Sequence, residues 1–253
     1  SCREQTLGLQ ARRDEQAADL DALAQLADVM DDDRRRAFGA WRRGIDAMRV
    51  ADWTSQENAA RDGMSWAIRA GDDRLRLHSL RLLASVTVDL GDVETGRVMA
   101  LEGLAEARSL GLRDVEGLLL NTLSFSAHRK GDLVGCLELS QQGLQVYRET
   151  GDRVFEAIGL TCMGVTWMNL GDLVQARRDL DAALQMLRAN GDRVTEAGAL
   201  SYLSTLTLWQ DDETTALALA RAALDIAEAA EARDWKVESA LHLANSYDGH
   251  KIP

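Results

Sequence analysis

The chain has almost no proline: its single copy is Pro253, the last of 253 residues. With no pyrrolidine ring inside the chain to remove an amide donor, helices can run uninterrupted. Plentiful Ala, Leu, Arg, Glu and Gln favour them throughout. Cations are also scarce, with 29 Lys and Arg against 41 Asp and Glu, a net charge of −12. Neutralising a phosphate backbone takes clustered Lys and Arg, so direct nucleic-acid binding is not expected. The acidic balance instead favours solubility and a basic partner domain. No apolar run approaches the ~20 residues needed to cross a bilayer, so no membrane span is expected. No charged-then-apolar leader opens the chain. The three cysteines, Cys2, Cys136 and Cys162, are odd in number and lack metal-ligand spacing, which points to a reduced, cytoplasmic setting. Ser1 falls abruptly within helical-looking composition, as expected of a piece of a longer protein.

Signatures of catalysis are missing as well. There is neither a G-x-x-x-x-G-K-[ST] phosphate loop nor a G-x-S-x-G elbow. None of His78, His128, His242 and His250 has a histidine partner at helical i,i+4 spacing, so no zinc site is expected. Acid pairs such as Asp32 and Asp33 fall at helix boundaries, where capping explains them. No catalytic residue, metal or cofactor is assigned, and the chain reads as a non-enzyme.

What the sequence does have is a beat. Gly-Asp occurs at 71–72, 91–92, 131–132, 151–152, 171–172 and 191–192, with variants at 31–32, 51–52, 111–112, 211–212 and 231–232. A glycine just past a helix end takes the left-handed conformation that closes the last carbonyls. The aspartate after it caps the free amides of the next helix. About 17 residues lie between marks, enough for a helix of roughly 25 Å at 1.5 Å per residue. The chain is therefore expected to be a row of antiparallel helices joined by very short turns.

The unit is two helices. At forty-residue spacing one column reads Gly44, Ala84, Ser124, Gly164, Ser204, and a second reads Gln56, Gly96, Cys136, Ala176, Ala216. A third reads Gly63, Gly103, Gly143, Ala183, Ala223, followed by Met64, Leu104, Leu144, Leu184, Leu224. Small residues let helix backbones approach closely, and self-similarity at this period marks a stacked solenoid. These columns and the L-G-D turn resemble the tetratricopeptide repeat. The clearest copy is AIGLTCMGVTWMNLGDLVQARRDLDAALQML, where Gly164, Ala176 and Ala183 match the three small positions and Trp167 takes a common aromatic place. The forty-residue form looks like repeats in large bacterial signalling and transcription regulators. Gln56 and Arg43, where other copies carry Leu83, Leu123, Met163 and Leu203, depart from the pattern in the first copy.

The resemblance implies an all-α fold, a right-handed α-solenoid of stacked antiparallel helix pairs over residues 1–253. It comprises a leading helix at 9–31, with Leu20, Leu23, Ala27 and Met30 on one face, five pairs over 33–230, and a terminal helix at 233–248. It also implies that the first helix of each pair lines a concave wall. On those helices the candidate binding residues are Trp41, Arg42, Arg49, His78, Arg81, Asp89, Asn121, Phe125, His128 and Arg129, then Thr161, Cys162, Asn169, Tyr202 and Trp209. Arginine supplies bidentate carboxylate contacts and aromatic rings supply apolar anchors. The expected role is a non-catalytic interaction and regulatory module of a bacterial signalling or transcription regulator. It would bind a protein segment or peptide, from another domain of the same protein or elsewhere. A sensor of a small signalling molecule controlling an attached ATPase, cyclase or DNA-binding effector is the alternative. Nothing in the sequence fixes an oligomeric state.

Overall fold

The computed structural model describes residues 13–229. They contain eleven helices and no strand: α1 (Arg13–Val29), α2 (Asp33–Arg49), α3 (Trp53–Ala70), α4 (Asp73–Asp89), α5 (Val93–Ser109), α6 (Arg113–Arg129), α7 (Leu133–Thr150), α8 (Arg153–Leu170), α9 (Leu173–Asn190), α10 (Arg193–Trp209) and α11 (Glu213–Ala229). The start of the leading helix and the expected terminal helix at 233–248, with Trp235, lie outside the described residues. Packing divides the described residues into two compact units, one running to Thr150 and the other beginning at Gly151. Within each unit every helix packs against the next.

The turns work as the Gly-Asp beat implies, and each aspartate acts twice. The Asp72 amide donates back to the Ala67 carbonyl at 3.0 Å, closing α3. Its carboxylate accepts from the Leu75 amide at 3.0 Å, opening α4. Asp172 repeats both contacts with Trp167 and Gln175, each at 3.0 Å. Gly71 between them has φ 65 and ψ 28, the left-handed geometry the turn requires. Three turns place a non-glycine there, at Asp31 (φ 47), Ala51 (φ 53) and Asp211 (φ 66). Leu112 makes no side-chain cap bond and packs instead against the core around Leu119 and Leu120.

The small columns are the helix crossings. A Cβ on Gly164 would lie 2.6 Å from Leu180 Cγ and 3.3 Å from the Ala176 carbonyl, closer than van der Waals contact permits. Ser124 meets Cys136 and Ser140 at the equivalent crossing, its hydroxyl 2.6 Å from Ser140 Oγ. Ser204 donates to the Ala216 carbonyl at 2.8 Å. Cys136 is buried in this contact, filling the space its column predicts. Gln56, a departure by sequence, is fully buried, and its Nε2 donates to the Leu82 carbonyl at 3.0 Å. Arg43 reaches Asp21 of α1 at 3.0 Å, which accounts for its replacing leucine. On α1, Leu20 and Ala27 are buried as expected, whereas Met30 is exposed just beyond the helix end.

One further forty-residue column is charged. The first two pairs carry Asp33 with Arg36 and Asp73 with Arg76, whereas the next three carry Arg113 with Glu116, Arg153 with Glu156 and Arg193 with Glu196. In every case the two side chains bond across one helical turn. Glu116, Glu156 and Glu196 are buried, whereas Arg36 and Arg76 are half-buried. Glu196 also takes Arg188 at 3.0 Å, and Glu116 takes Arg108 at 2.9 Å, tying each first helix to the helix before it.

Candidate functional site

In the first unit the first helices of successive pairs touch one another, α2 with α4 and α4 with α6. Between α2 and α4 opens a cleft of about 630 Å³, with Phe38, Trp41, Leu75 and His78 among its lining residues and Leu23 contributed by α1. Phe38 and Trp41 are one turn apart on α2 and meet edge to face, ring centroids 5.5 Å apart. Trp41 in turn lies 4.6 Å from the His78 ring, planes tilted by 31°. The three rings make a continuous apolar surface, the kind of anchor that carries most of an interface's energy.

The polar groups at this cleft are unequal. Arg34 donates to Asp72 at 2.8 Å, and Arg74 donates to Asp114 through Nη2 at 2.7 Å and Nε at 3.1 Å, so these cations are compensated. His78 Nε2 lies 3.3 Å from the same Asp114 oxygen. Although burial opposes it, bonding to His78 and Arg74 holds the Asp114 carboxyl well below the usual carboxylate range. Burial pushes the His78 imidazole down, outweighing the pull of Asp114, and the charges of Arg81 and Arg74 act in the same direction. His78 is therefore neutral near pH 7, with Nε2–H facing Asp114 and Nδ1 left as an acceptor. That Nδ1, on a side chain only 6% exposed, has no hydrogen-bond partner, and neither does the buried Trp41 Nε1–H. One donor and one acceptor, both desolvated, thus stand at the aromatic surface.

Arg81 follows His78 by one turn of α4. It is 6% exposed, its Nη1 lies 3.6 Å from Met48 Sδ, and its buried Nε has no partner. Burial pushes the guanidinium down to about 10, so it remains a cation at neutral pH.

The other sequence candidates are placed differently. Arg42 is buried with its guanidinium 5.7 Å from the Trp41 ring. Arg49 lines a separate cleft of about 330 Å³ between α1 and α2, with Gln16, Asp21 and Asp46. Asp89 is half-buried at the end of α4. Along α6, Asn121 and His128 are half-buried, Phe125 and Arg129 are exposed, and the Arg129 guanidinium lies 5.9 Å from the Phe125 ring. Burial, and then the Arg129 charge, lowers the His128 imidazole. In the second unit Thr161 is buried and donates to the Ala157 carbonyl at 3.0 Å, so its hydroxyl serves its own helix. Asn169 is exposed and Cys162 half-buried, while Tyr202 and Trp209 pack against the core around Leu203 and Leu206. Trp53 and Trp66 pack between helices.

Phe38, Leu75, Arg34, Arg74 and Asp114 belong to the site but were not singled out by sequence. The signal was there: Phe38 and His78 share one forty-residue column, and Arg34, Arg74 and Asp114 share another. Among the described residues no group of three His, Cys, Asp or Glu side chains is placed to hold a metal ion. No helix among them is long and apolar enough to cross a membrane.

The architecture is that of a tetratricopeptide-type helical-repeat array. No protein-family model matches the chain, and no curated protein matches it. Solved structures do. A Rap protein complexed with Competence and Sporulation Factor superposes with a TM-score of 0.70 at 12% identity, over 85% of this chain and 63% of that one. A signal-transduction ATPase with numerous domains from Pyrococcus horikoshii, carrying a tetratricopeptide repeat sensor, gives 0.62 at 13% identity, over 96% and 39%. BtubC from P. vanneervenii gives 0.56 at 15% identity, over 81% and 94%. At these identities the likeness is one of fold. The chain spans less than two thirds of the Rap protein and of the ATPase.

Proposed function

We propose that this chain is a non-catalytic interaction and regulatory module that takes up an extended protein segment on the first-helix wall of its first unit. The observation that carries this is the pair of buried, unpartnered polar atoms, Trp41 Nε1–H and His78 Nδ1, beside the Phe38–Trp41–His78 surface. Leaving such groups unmet costs roughly 1–3 kcal/mol each. A peptide main chain carries a carbonyl for the indole and an amide for the imidazole, and its apolar side chain fills the cleft against Leu75. The open cleft favours this reading over an enclosed small-molecule sensor. The likeness to a Rap protein held with Competence and Sporulation Factor, and to a repeat sensor in a signalling ATPase, is consistent with a regulatory role within a longer cytoplasmic signalling protein.

The test is selection of synthetic hexapeptides on the 253-residue chain, followed by isothermal titration of those retained. Trp41→Ala and His78→Ala should each weaken binding about tenfold or more. Affinities unchanged in both variants would rule out this wall as the binding surface.

A further inference from the structure

We propose that α1 is a detachable flap, held on α2 by charge more than by packing, and that its closure completes the aromatic cleft. The coupling of the flap to a bound peptide rests on the reading above that the wall takes up an extended segment, whereas the detachment of α1 does not.

The two helices are oppositely charged to a degree found nowhere else among the described residues. α1 carries five carboxylates and one arginine, and α2 carries six arginines and two aspartates. No other described helix departs from neutrality by more than two charges. The contacts follow the charges. Arg43 donates to Asp21 at 3.0 Å and to the Leu20 carbonyl at 3.3 Å, and Arg36 donates to Asp28 at 2.9 Å. The Asp21 and Asp28 side chains are 71% and 73% exposed. Salt therefore screens both pairs, and each holds the helix only weakly.

Packing beneath α1 is slack by comparison. A Cβ on Gly44, Gly63 or Gly96 would come within 2.8 Å of a side chain on another helix, whereas one on Gly39 would meet Leu23 of α1 at 3.8 Å, an ordinary contact. Leu20 and Ala27 are the only apolar side chains that α1 buries. Beside Leu20 the cleft of about 330 Å³ separates the two helices, and it is lined by Gln16, a residue 2% exposed whose Nε2 has no hydrogen-bond partner. The gap forfeits dispersion contacts, and the unmet amide lowers the stability of the docked helix further. Residues 30–32 alone join α1 to α2, with Asp31 at φ 47, so a few dihedrals at one turn suffice as the hinge.

Docking of α1 bears on the site because Leu23 lines the aromatic cleft with Phe38 and Trp41. A segment seated there touches both helices and so favours the closed flap. By linkage, the closed flap raises the affinity for that segment by the same factor.

Hydrogen exchange on the 253-residue chain, read by mass spectrometry, tests this. Raising NaCl from about 20 mM to about 0.5 M should speed exchange in α1 about three- to tenfold and leave α4 unchanged. Arg43→Glu should reproduce the salt effect, and adding Asp21→Arg to it should restore slow exchange. A saturating hexapeptide selected on the chain should slow α1 exchange about threefold or more. Exchange of α1 in step with α4 at both salt levels, or a charge swap that restores nothing, would overturn the flap. A bound hexapeptide that leaves α1 exchange unchanged would overturn its closure over the cleft while leaving the wall as a peptide site. Absence of any hexapeptide binding would remove the wall reading and the coupling with it, and the salt response of α1 would then decide the flap by itself.

Discussion

The indole of Trp41 rests against the imidazole of His78, centroids 4.6 Å apart, yet the nitrogen that each ring buries bonds to nothing in the chain. Each unmet group subtracts from the stability that the ring burial supplies, and each becomes available to a chain bound in the cleft that both rings line.

Trp41→Phe separates the two roles of that residue. It keeps an aromatic ring against His78 and removes only the N–H and part of the ring volume. Since Nε1 has no partner in the free chain, chemical denaturation should show a loss of about 1 kcal/mol or less. Peptide affinity measured by titration should nevertheless fall about three- to tenfold, the value of one hydrogen bond.

His78 gives the fold a pH dependence. Burial depresses the folded imidazole below its ordinary value of 6.5, against the opposing pull of Asp114 and with the Arg81 and Arg74 charges. The unfolded chain therefore binds a proton first as pH falls. The stability due to neutral His78 is complete above about pH 6.5 and declines as the pH falls below it. Denaturation midpoints should drop between pH 7 and 5, and His78→Gln should flatten that part of the profile. An unchanged slope in the variant would assign the effect to other groups.

The crossing columns predict unequal costs. Gly164→Leu forces atoms into space already held by Leu180 and the Ala176 carbonyl, and should cost about 1–3 kcal/mol or more. Gln56→Leu keeps the volume and loses the bond to the Leu82 carbonyl. Its unpartnered Oε1 is lost too, so the net cost should stay near 1 kcal/mol. Urea denaturation of the two variants measures the difference.

Ala51 occupies a turn position that glycine fills elsewhere, at φ 53. The left-handed conformation is unfavourable for a residue with a Cβ. Ala51→Gly should therefore stabilise the protein by about 0.5–1 kcal/mol, the strain relieved exceeding the added chain entropy of glycine. A loss of stability on this substitution would contradict the role assigned to the beat.

Most of the fold was legible because its determinants are local and recurrent. Gly71 and Asp72 specify a turn within six residues, and Gly164 and Ala176 mark a crossing by being small whatever surrounds them. The site was only partly legible. Trp41, His78 and Arg81 stand out by type, but Phe38 and Leu75 look like any core residue until α2 and α4 are set side by side. Arg42 and Arg49 were expected on the same inner wall as Trp41, although the helical rotation carries Arg49 to the cleft against α1. The pairing of the cleft arginines depends on contacts 38 and 40 residues away, between Arg34 and Asp72 and between Arg74 and Asp114. Composition alone does not reveal which cation lacks an anion.

The most direct test of the central claim is a nitrogen-15 spectrum of the 253-residue chain, following the Trp41 indole N–H and the His78 Nδ1 as selected hexapeptide is added. Binding at this wall predicts that the indole proton moves downfield on gaining an acceptor, together with a shift of Nδ1 on gaining a donor. Saturable binding that leaves both resonances where they were would contradict it.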